Sequence, residues 1–281
     1  MTKSHLLRGA IALALISLSP SLAAAKDWKH VSIAMEGTYP PDNMVGPDGK
    51  LTGFEPELAM DLCNRMHITC ELSAQDWNSL IPGLNASKFD VIMTGMFITP
   101  KRQEVIAFST PYVQIETSFG VLKGGPLAPL PDTGKHISFD NQAESKPVVD
   151  DLRKVLKGKT IGVEVSTIQA DMLNKYFKDV AEIRTYPSTD AQDLDLQNGR
   201  IDVSTAAATS ILGSVDASKG AIVLTGPFVR GDMVGSLSGA GFRKSDADLK
   251  AMFDKAIGEA LADGTVKRLA LKWFKLDVTP R

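Results

Sequence analysis

Apolar residues recur at every fourth position from Phe54 through Leu58 and Leu62 to Met66, which predicts a helix over residues 55–66 with one buried face. Residues 31–35 read as a strand before it. Residues 90–93 return as another, after a short helix that carries Leu80, Ile81 and Leu84 and starts at Asp76. Residues 116–122 are extended and run into a stretch rich in Gly, Pro and Asp over 124–140, read as a long surface excursion with a short helix over 147–156 behind it. A second set follows, with strand 160–163, helix 168–178, strand 182–186, a helix capped by Ser188 or Thr189 and stopped by Gly199, and strand 200–205. Two tail helices close the chain. The first starts at 245–248 and buries Leu249, Met252, Phe253, Ile257 and Leu261. The second, capped by Thr265 behind Gly264, turns Val266, Leu269 and Trp273 inward. Residues 236–242 form a strand that rejoins the first set. This alternation predicts an α/β fold of mixed, mostly parallel sheets flanked by helices, in two similar lobes.

The first 25 residues depart from this pattern. Lys3 and Arg8 precede an apolar run over 9–18, and Ala23, Ala24 and Ala25 form a small-residue cleavage site, so the segment reads as a secretory signal and the mature chain begins near Lys26. No later run reaches the roughly 18 to 20 apolar residues that span a bilayer. The expected address is a periplasm. Removing the signal subtracts two cations and no acids, taking the formal charge from −2 to −4, a balance that argues against nucleic acid as a partner. The two cysteines, Cys63 and Cys70, lie close together and read as a disulfide in an oxidising compartment. His67 between them supplies a third candidate metal ligand and nothing supplies a fourth, so no metal site and no cofactor is expected.

Candidate chemistry sits at two strand-to-helix turns. In residues 94–102, Thr99 is a good N-cap and Pro100 suits the first helical position, which puts Lys101 and Arg102 in the first turn. Cations there oppose the helix dipole, a cost that reverses if a carboxylate lies between the guanidinium and the free N–H groups. Residues 162–167 make the second such turn. Two helix starts facing each other would grip one anion, with Thr94, Met96, Phe97 and Arg102 from the first turn and Glu164 and Thr167 from the second.

Several motifs in order carry a resemblance across the mature chain: residues 36–41 (EGTYPP), 51–58 (LTGFEPEL), 90–93 (DVIM), 99–109 (TPKRQEVIAFS), 198–202 (NGRID), 241–249 (GFRKSDADL) and 263–267 (DGTVK). The chain resembles the periplasmic solute-binding proteins of polar amino-acid ABC importers (family 3), in the branch that binds lysine, arginine and ornithine or octopine and nopaline. The resemblance implies a monomeric, non-enzymatic receptor with no catalytic residue. Its two lobes (26–115 with 235–281, and 116–234) would be joined by two crossing strands and close over a ligand that is passed to an inner-membrane permease. It also implies that Cys63 and Cys70 are bridged. By residue, it implies Arg102 as the clamp on the ligand α-carboxylate, Thr167 as a contact to the same group, Trp77 and Tyr39 as aromatic walls, and Glu36 as the acid facing the cationic end of a basic ligand.

Two departures from the family pattern change the expected ligand. Where such proteins hold the α-ammonium with an aspartate, this chain has Ala207, and Phe97 stands where Ser or Gly is usual. A plain L-amino acid is therefore disfavoured, and an opine-like conjugate with a secondary amine fits better. The competing readings are an enzyme on the same scaffold, resembling cyclohexadienyl dehydratases, and a ligand sensor. An enzyme needs an acid or base aimed at its substrate, and Glu36 and Glu164 are the carboxylates placed near the cleft.

Overall fold

A computed structural model describes residues 26–280 except 232, 233 and 235. The expected signal segment lies outside the described residues. Two larger sheets organise the chain. The first has the strand order β5 (Thr69–Ala74), β1 (His30–Met35), β6 (Val91–Ile92), β16 (Gly241–Phe242), β7 (Ala107–Phe108). The second runs β10 (His136–Ser138), β14 (Ile222–Arg230), β9 (Thr117–Leu122), β13 (Val203–Ala207), β11 (Thr160–Glu164), β12 (Glu182–Tyr186). Between them the outgoing chain β8 (Val113–Gln114) pairs antiparallel with the returning chain β15 (Leu237–Ser238). A small antiparallel sheet of β2 (Thr38–Tyr39), β3 (Asn43–Val45) and β4 (Leu51–Thr52) follows β1.

The fourfold apolar repeat forms α1 (Phe54–Arg65), with Phe54, Leu58 and Leu62 all fully buried. Each such side chain contributes about 1.5–3 kcal/mol by leaving water. Cys63 at its end is bridged to Cys70 in β5, with Cα atoms 6.2 Å apart. Closing so short a loop stabilises by about 2.5 kcal/mol through the unfolded chain. The helices α8 (Ala247–Ala262) and α9 (Thr265–Trp273) pack on α1 and complete that layer. Thr265 is the first residue of α9 and not its cap, since Asp263 Oδ1 accepts from the Thr265 N–H at 2.9 Å and Gly264 takes a left-handed conformation. α2 (Leu80–Asn85) follows a 3₁₀ turn at Trp77–Ser79, and α3 (Pro100–Gln103) is a single turn.

In the second unit the surface excursion proves partly internal. Leu130, Ile137 and Phe139 are buried, and β10 pairs parallel with β14. The helix behind it is longer than expected. α4 (Gln142–Leu156) contains Pro147 in its sixth position, where Asn141 capping the Ala143 N–H and the buried Val148, Val149, Leu152 and Leu156 outweigh one lost hydrogen bond. α5 (Ile168–Tyr176) is capped by Thr167, and α6 (Thr189–Gln197) by Ser188, the first of its two expected caps. α7 (Ala208–Ala217) and β14 had no counterpart in the sequence pattern.

Candidate functional site

A cleft between the two larger sheets is lined by Glu36, Tyr39, Trp77, Thr94, Gly95, Phe97 and Arg102 from one side and by Glu164, Thr167, Gln169, Thr189, Thr205 and Ala206 from the other. The free space is about 20 Å³, room for a single water molecule, so the arrangement is closed. Several contacts bridge the two sides. The Thr189 hydroxyl donates to the Thr38 carbonyl at 3.2 Å, and the Thr209 hydroxyl to Asp42 Oδ2 at 3.3 Å. Gly213 in α7 lies so close to the Pro40–Pro41 turn that a Cβ there would stand 2.6 Å from the Pro40 oxygen.

Eight of the ten ligand-binding residues expected from the sequence line this cleft: Glu36, Tyr39, Trp77, Thr94, Phe97, Arg102, Glu164 and Thr167. Met96 does not. Met96 and Phe97 are consecutive, so they point to opposite sides. Phe97 faces the cleft while Met96 is buried with Leu80, Leu84, Phe89, Ile92 and Ile106. Ala207 does not line it either. It ends β13 at the turn into α7 and packs into the core, and Thr205 and Ala206 present themselves in its place. Ala207 lies next to the lining residue Ala206 and its backbone N–H is bonded to Tyr39, so it borders the cleft without presenting its side chain to the free space.

The first wall is held by a buried network that the sequence reading did not assign. Glu55, in the first turn of α1, accepts from the Gly95 N–H at 2.5 Å, from the Asn43 amide at 2.6 Å and from the Tyr112 hydroxyl. Asn43 in turn accepts from the Gly37 N–H at 2.7 Å, and Thr94 Oγ1 accepts from the Glu36 N–H at 2.9 Å. These bonds fix residues 36–37 and 94–95, the backbone on which Glu36 and the Arg102 turn are built. Glu55 belongs to the motif at 51–58, so its presence was visible and its role was not. Gly95 takes φ +62°, which admits the sharp turn beside Tyr39.

Arg102 is half-buried. Its Nη1 donates to the Phe97 carbonyl at 2.8 Å, its Nη2 approaches the Ser166 carbonyl at 3.5 Å across the cleft, and its guanidinium sits 5.2 Å from the Trp77 ring centroid. Burial lowers its pKa to about 10, opposed by Asp171 and Glu164, so it stays charged at neutral pH. On the opposite side, Thr167 caps α5 by accepting from the Ala170 N–H at 3.2 Å and donates to the Glu164 carbonyl at 2.7 Å. Its hydroxyl is thereby committed locally, while the amide end of α5 stays turned to the cleft.

Glu36 and Glu164 meet. Glu36 accepts from the Thr38 hydroxyl at 2.6 Å and from the Glu164 carboxyl, which donates to it. Burial pushes the Glu36 pKa up to about 7, and burial together with Glu36 pushes Glu164 well above the usual carboxylate range. Glu164 Oε1 and the Thr205 hydroxyl have no hydrogen-bond partner, although both are buried. Among the described residues no group of three or more His, Cys, Asp or Glu is arranged to hold a metal ion, and no helix is long and apolar enough to cross a membrane.

This geometry has close parallels in known proteins. The family described as bacterial extracellular solute-binding proteins, family 3, matches residues 31–276. The octopine-binding periplasmic protein of Rhizobium meliloti is 42% identical over 92% of this chain and 94% of its own length. The lysine/arginine/ornithine-binding periplasmic protein of Escherichia coli (strain K12) is 30% identical over 98% of each chain. Among solved structures, a periplasmic His/Glu/Gln/Arg/opine family-binding protein from Silicibacter pomeroyi in complex with lysine superposes with a TM-score of 0.72 and 28% identity. That match covers 89% of this chain and 100% of the other.

Proposed function

The chain belongs to the bacterial extracellular solute-binding proteins of family 3, and from that premise we propose that it is the periplasmic receptor of an ABC importer, capturing an amino acid or amino-acid derivative of opine-like or cationic type and delivering it to an inner-membrane permease. The observation that carries this reading is the distribution of charge in one closed cleft. Arg102 lies against Trp77 near the α5 amide end, and the buried carboxyls of Glu36 and Glu164 lie together elsewhere in the lining. A ligand with a carboxylate at one end and a cationic nitrogen at the other matches both.

In this reading residues 26–115 and 235–281 form one lobe and 116–234 the other, residues 1–25 are the cleaved export signal, and the receptor works as a monomer. Arg102 grips the ligand carboxylate, Trp77 and Tyr39 flank its side chain, and Glu36 answers the cation. The relatives at 30–42% identity are named as binding proteins, which favours a receptor over a dehydratase or a sensor. The test is calorimetric titration of the wild-type protein and Arg102→Ala with octopine and with L-arginine. Wild type is expected to bind octopine more tightly than arginine, and the variant to lose about 2–5 kcal/mol of affinity with its thermal unfolding intact. Affinity of the variant within threefold of wild type would sink the clamp assignment.

A further inference from the structure

The two carboxyls facing each other across the cleft raise a question that the receptor reading alone leaves open. A single acid suffices to attract a cation. Here a second, Glu164, is brought to the first from the other sheet, at the end of β11, and one of its oxygens is left unpaired although the residue is 95% buried, its exposure being 5%. A buried carboxyl oxygen without a donor costs free energy, and such groups in native structures call for a reason. On the neighbouring strand β13 the Thr205 hydroxyl is also buried and unpaired, and Thr205 lines the same cleft. A buried carboxyl oxygen without a donor, in a residue that lines the cleft, describes a place where a group rich in donors belongs.

We propose that Glu36 and Glu164 form a proton-holding pair that admits the cationic nitrogen of the ligand in exchange for a proton, so that capture of a cationic amino-acid derivative is coupled to proton release into solvent. The proposal rests on the ligand class given above and adds the residue that enforces it. Guanidinium offers N–H donors in a planar fork that suits two carboxylates, and a secondary ammonium offers two donors, so either satisfies Glu164 Oε1 and Glu36 together. Without a ligand, two adjacent buried carboxyls cannot both be ionised, and the proton that Glu164 donates to Glu36 is what lets them touch. Placing a positive charge between them removes the reason for keeping it.

The surroundings agree in sign. The charged and titratable groups facing the pair are Asp190 at the start of α6, Glu55 in α1, Asp42, and Tyr39 in β2, and each adds negative charge or none. Arg102, itself facing Asp171 of α5, is the cation that acts on Glu164, and it does not offset the burial that keeps the pair protonated. Cation entry therefore meets a pair biased towards holding protons, and binding must strengthen as pH rises over the range in which the free pair still holds them, a range whose lower step is set by Glu36, pushed to about 7.

The test uses the full-length mature protein with three probes: octopine, L-arginine, and the neutral analogue of octopine in which citrulline replaces arginine. Calorimetry at pH about 6.5 in two buffers of different ionisation enthalpy counts protons released. Octopine is expected to release at least about one proton, and its dissociation constant to weaken about tenfold per pH unit of acidification for each proton released. The neutral analogue should release fewer protons if the guanidinium is the group received, and as many as octopine if the secondary ammonium is. Glu164→Gln keeps a donor to Glu36 but has no proton to lose. It should abolish most of the release, flatten the pH profile and weaken octopine at least tenfold at pH 8, with thermal stability retained. Octopine binding with buffer-independent enthalpy and a constant affinity from pH 5.5 to 8, or an unchanged proton count in Glu164→Gln, overturns the inference and leaves the receptor reading standing. No saturable binding of octopine, arginine, lysine or ornithine at any pH overturns the ligand class itself, and this inference with it.

Discussion

Glu55 and Glu164 are both buried carboxyls within the same cleft frame, and they have been treated in opposite ways. Glu55 is fully buried and receives three donors, from Gly95, Asn43 and Tyr112. Glu164 is 5% exposed, donates a hydrogen bond to Glu36 and leaves one oxygen with no partner. Burial raises the pKa of both, but at Glu55 the hydrogen bonds work against that rise, whereas at Glu164 the neighbouring acid adds to it. A carboxyl whose acceptors are all used is part of the scaffold. One held short of satisfaction is kept for something that arrives.

The sharpest way to break that contrast is Glu55→Ala. It strands the Gly95 N–H, the Tyr112 hydroxyl and the Asn43 amide, at about 1–3 kcal/mol for each group left unpaired, so urea unfolding should show a loss of at least about 3 kcal/mol. A loss below about 1 kcal/mol would remove Glu55 from the scaffold. Next in size is pH. In the ligand-free protein Glu36 holds its proton more tightly than the unfolded chain does, with its pKa moved from 4.5 to about 7. Its contribution is complete below about 4.5 and is lost as pH rises through 7, up to about 3 kcal/mol in all. Unfolding free energy should therefore fall between about pH 5 and 8 without ligand. With saturating octopine the slope should flatten or reverse, because the bound cation favours the ionised pair, and an unchanged slope would contradict it.

The smallest effect comes from Gly213→Ala. Alanine is the better helix former by about 1 kcal/mol, so α7 itself should not suffer. The new Cβ, however, meets the Pro40 oxygen at 2.6 Å and must hold the cleft ajar, separating Glu164 from Glu36 and leaving the Glu55 network alone. Octopine affinity is expected to fall about tenfold, roughly 1.4 kcal/mol, at constant stability. Wild-type affinity in this variant would show that the two sides need not close so far.

Much of this was legible in the chain. The fourfold repeat of α1, the caps Thr99 and Ser188, and the cysteine pair are local signals, and local signals survive into the fold. Glu36, Tyr39 and Arg102 lie in the motifs and Thr94, Phe97, Glu164 and Thr167 in the two strand-to-helix turns, and with Trp77 all of them line the cleft. Met96 turns away from the cleft because which way a residue faces at a turn depends on one φ angle or one step of pleat, and neither is written in residue type. α7 and β14 went unread because small and polar residues such as Ala207, Ala208, Thr209 and Ser210 carry no period, and only packing decides their state. The pairing of Glu36 with Glu164 joins positions 128 residues apart across two sheets, which no spacing rule could reveal.

The strand order of the first sheet sets a timetable for assembly. Its five strands come from residues 30–108 except one, and that one, β16 at Gly241–Phe242, lies between β6 and β7 with antiparallel pairing to each. Until residue 242 has crossed the membrane, β7 has no neighbour and the turn bearing Arg102 has no completed sheet beneath it. The six-stranded sheet comes from the continuous stretch 117–230 and waits for nothing beyond its own last strand. The part of the chain made first is therefore the part that finishes last.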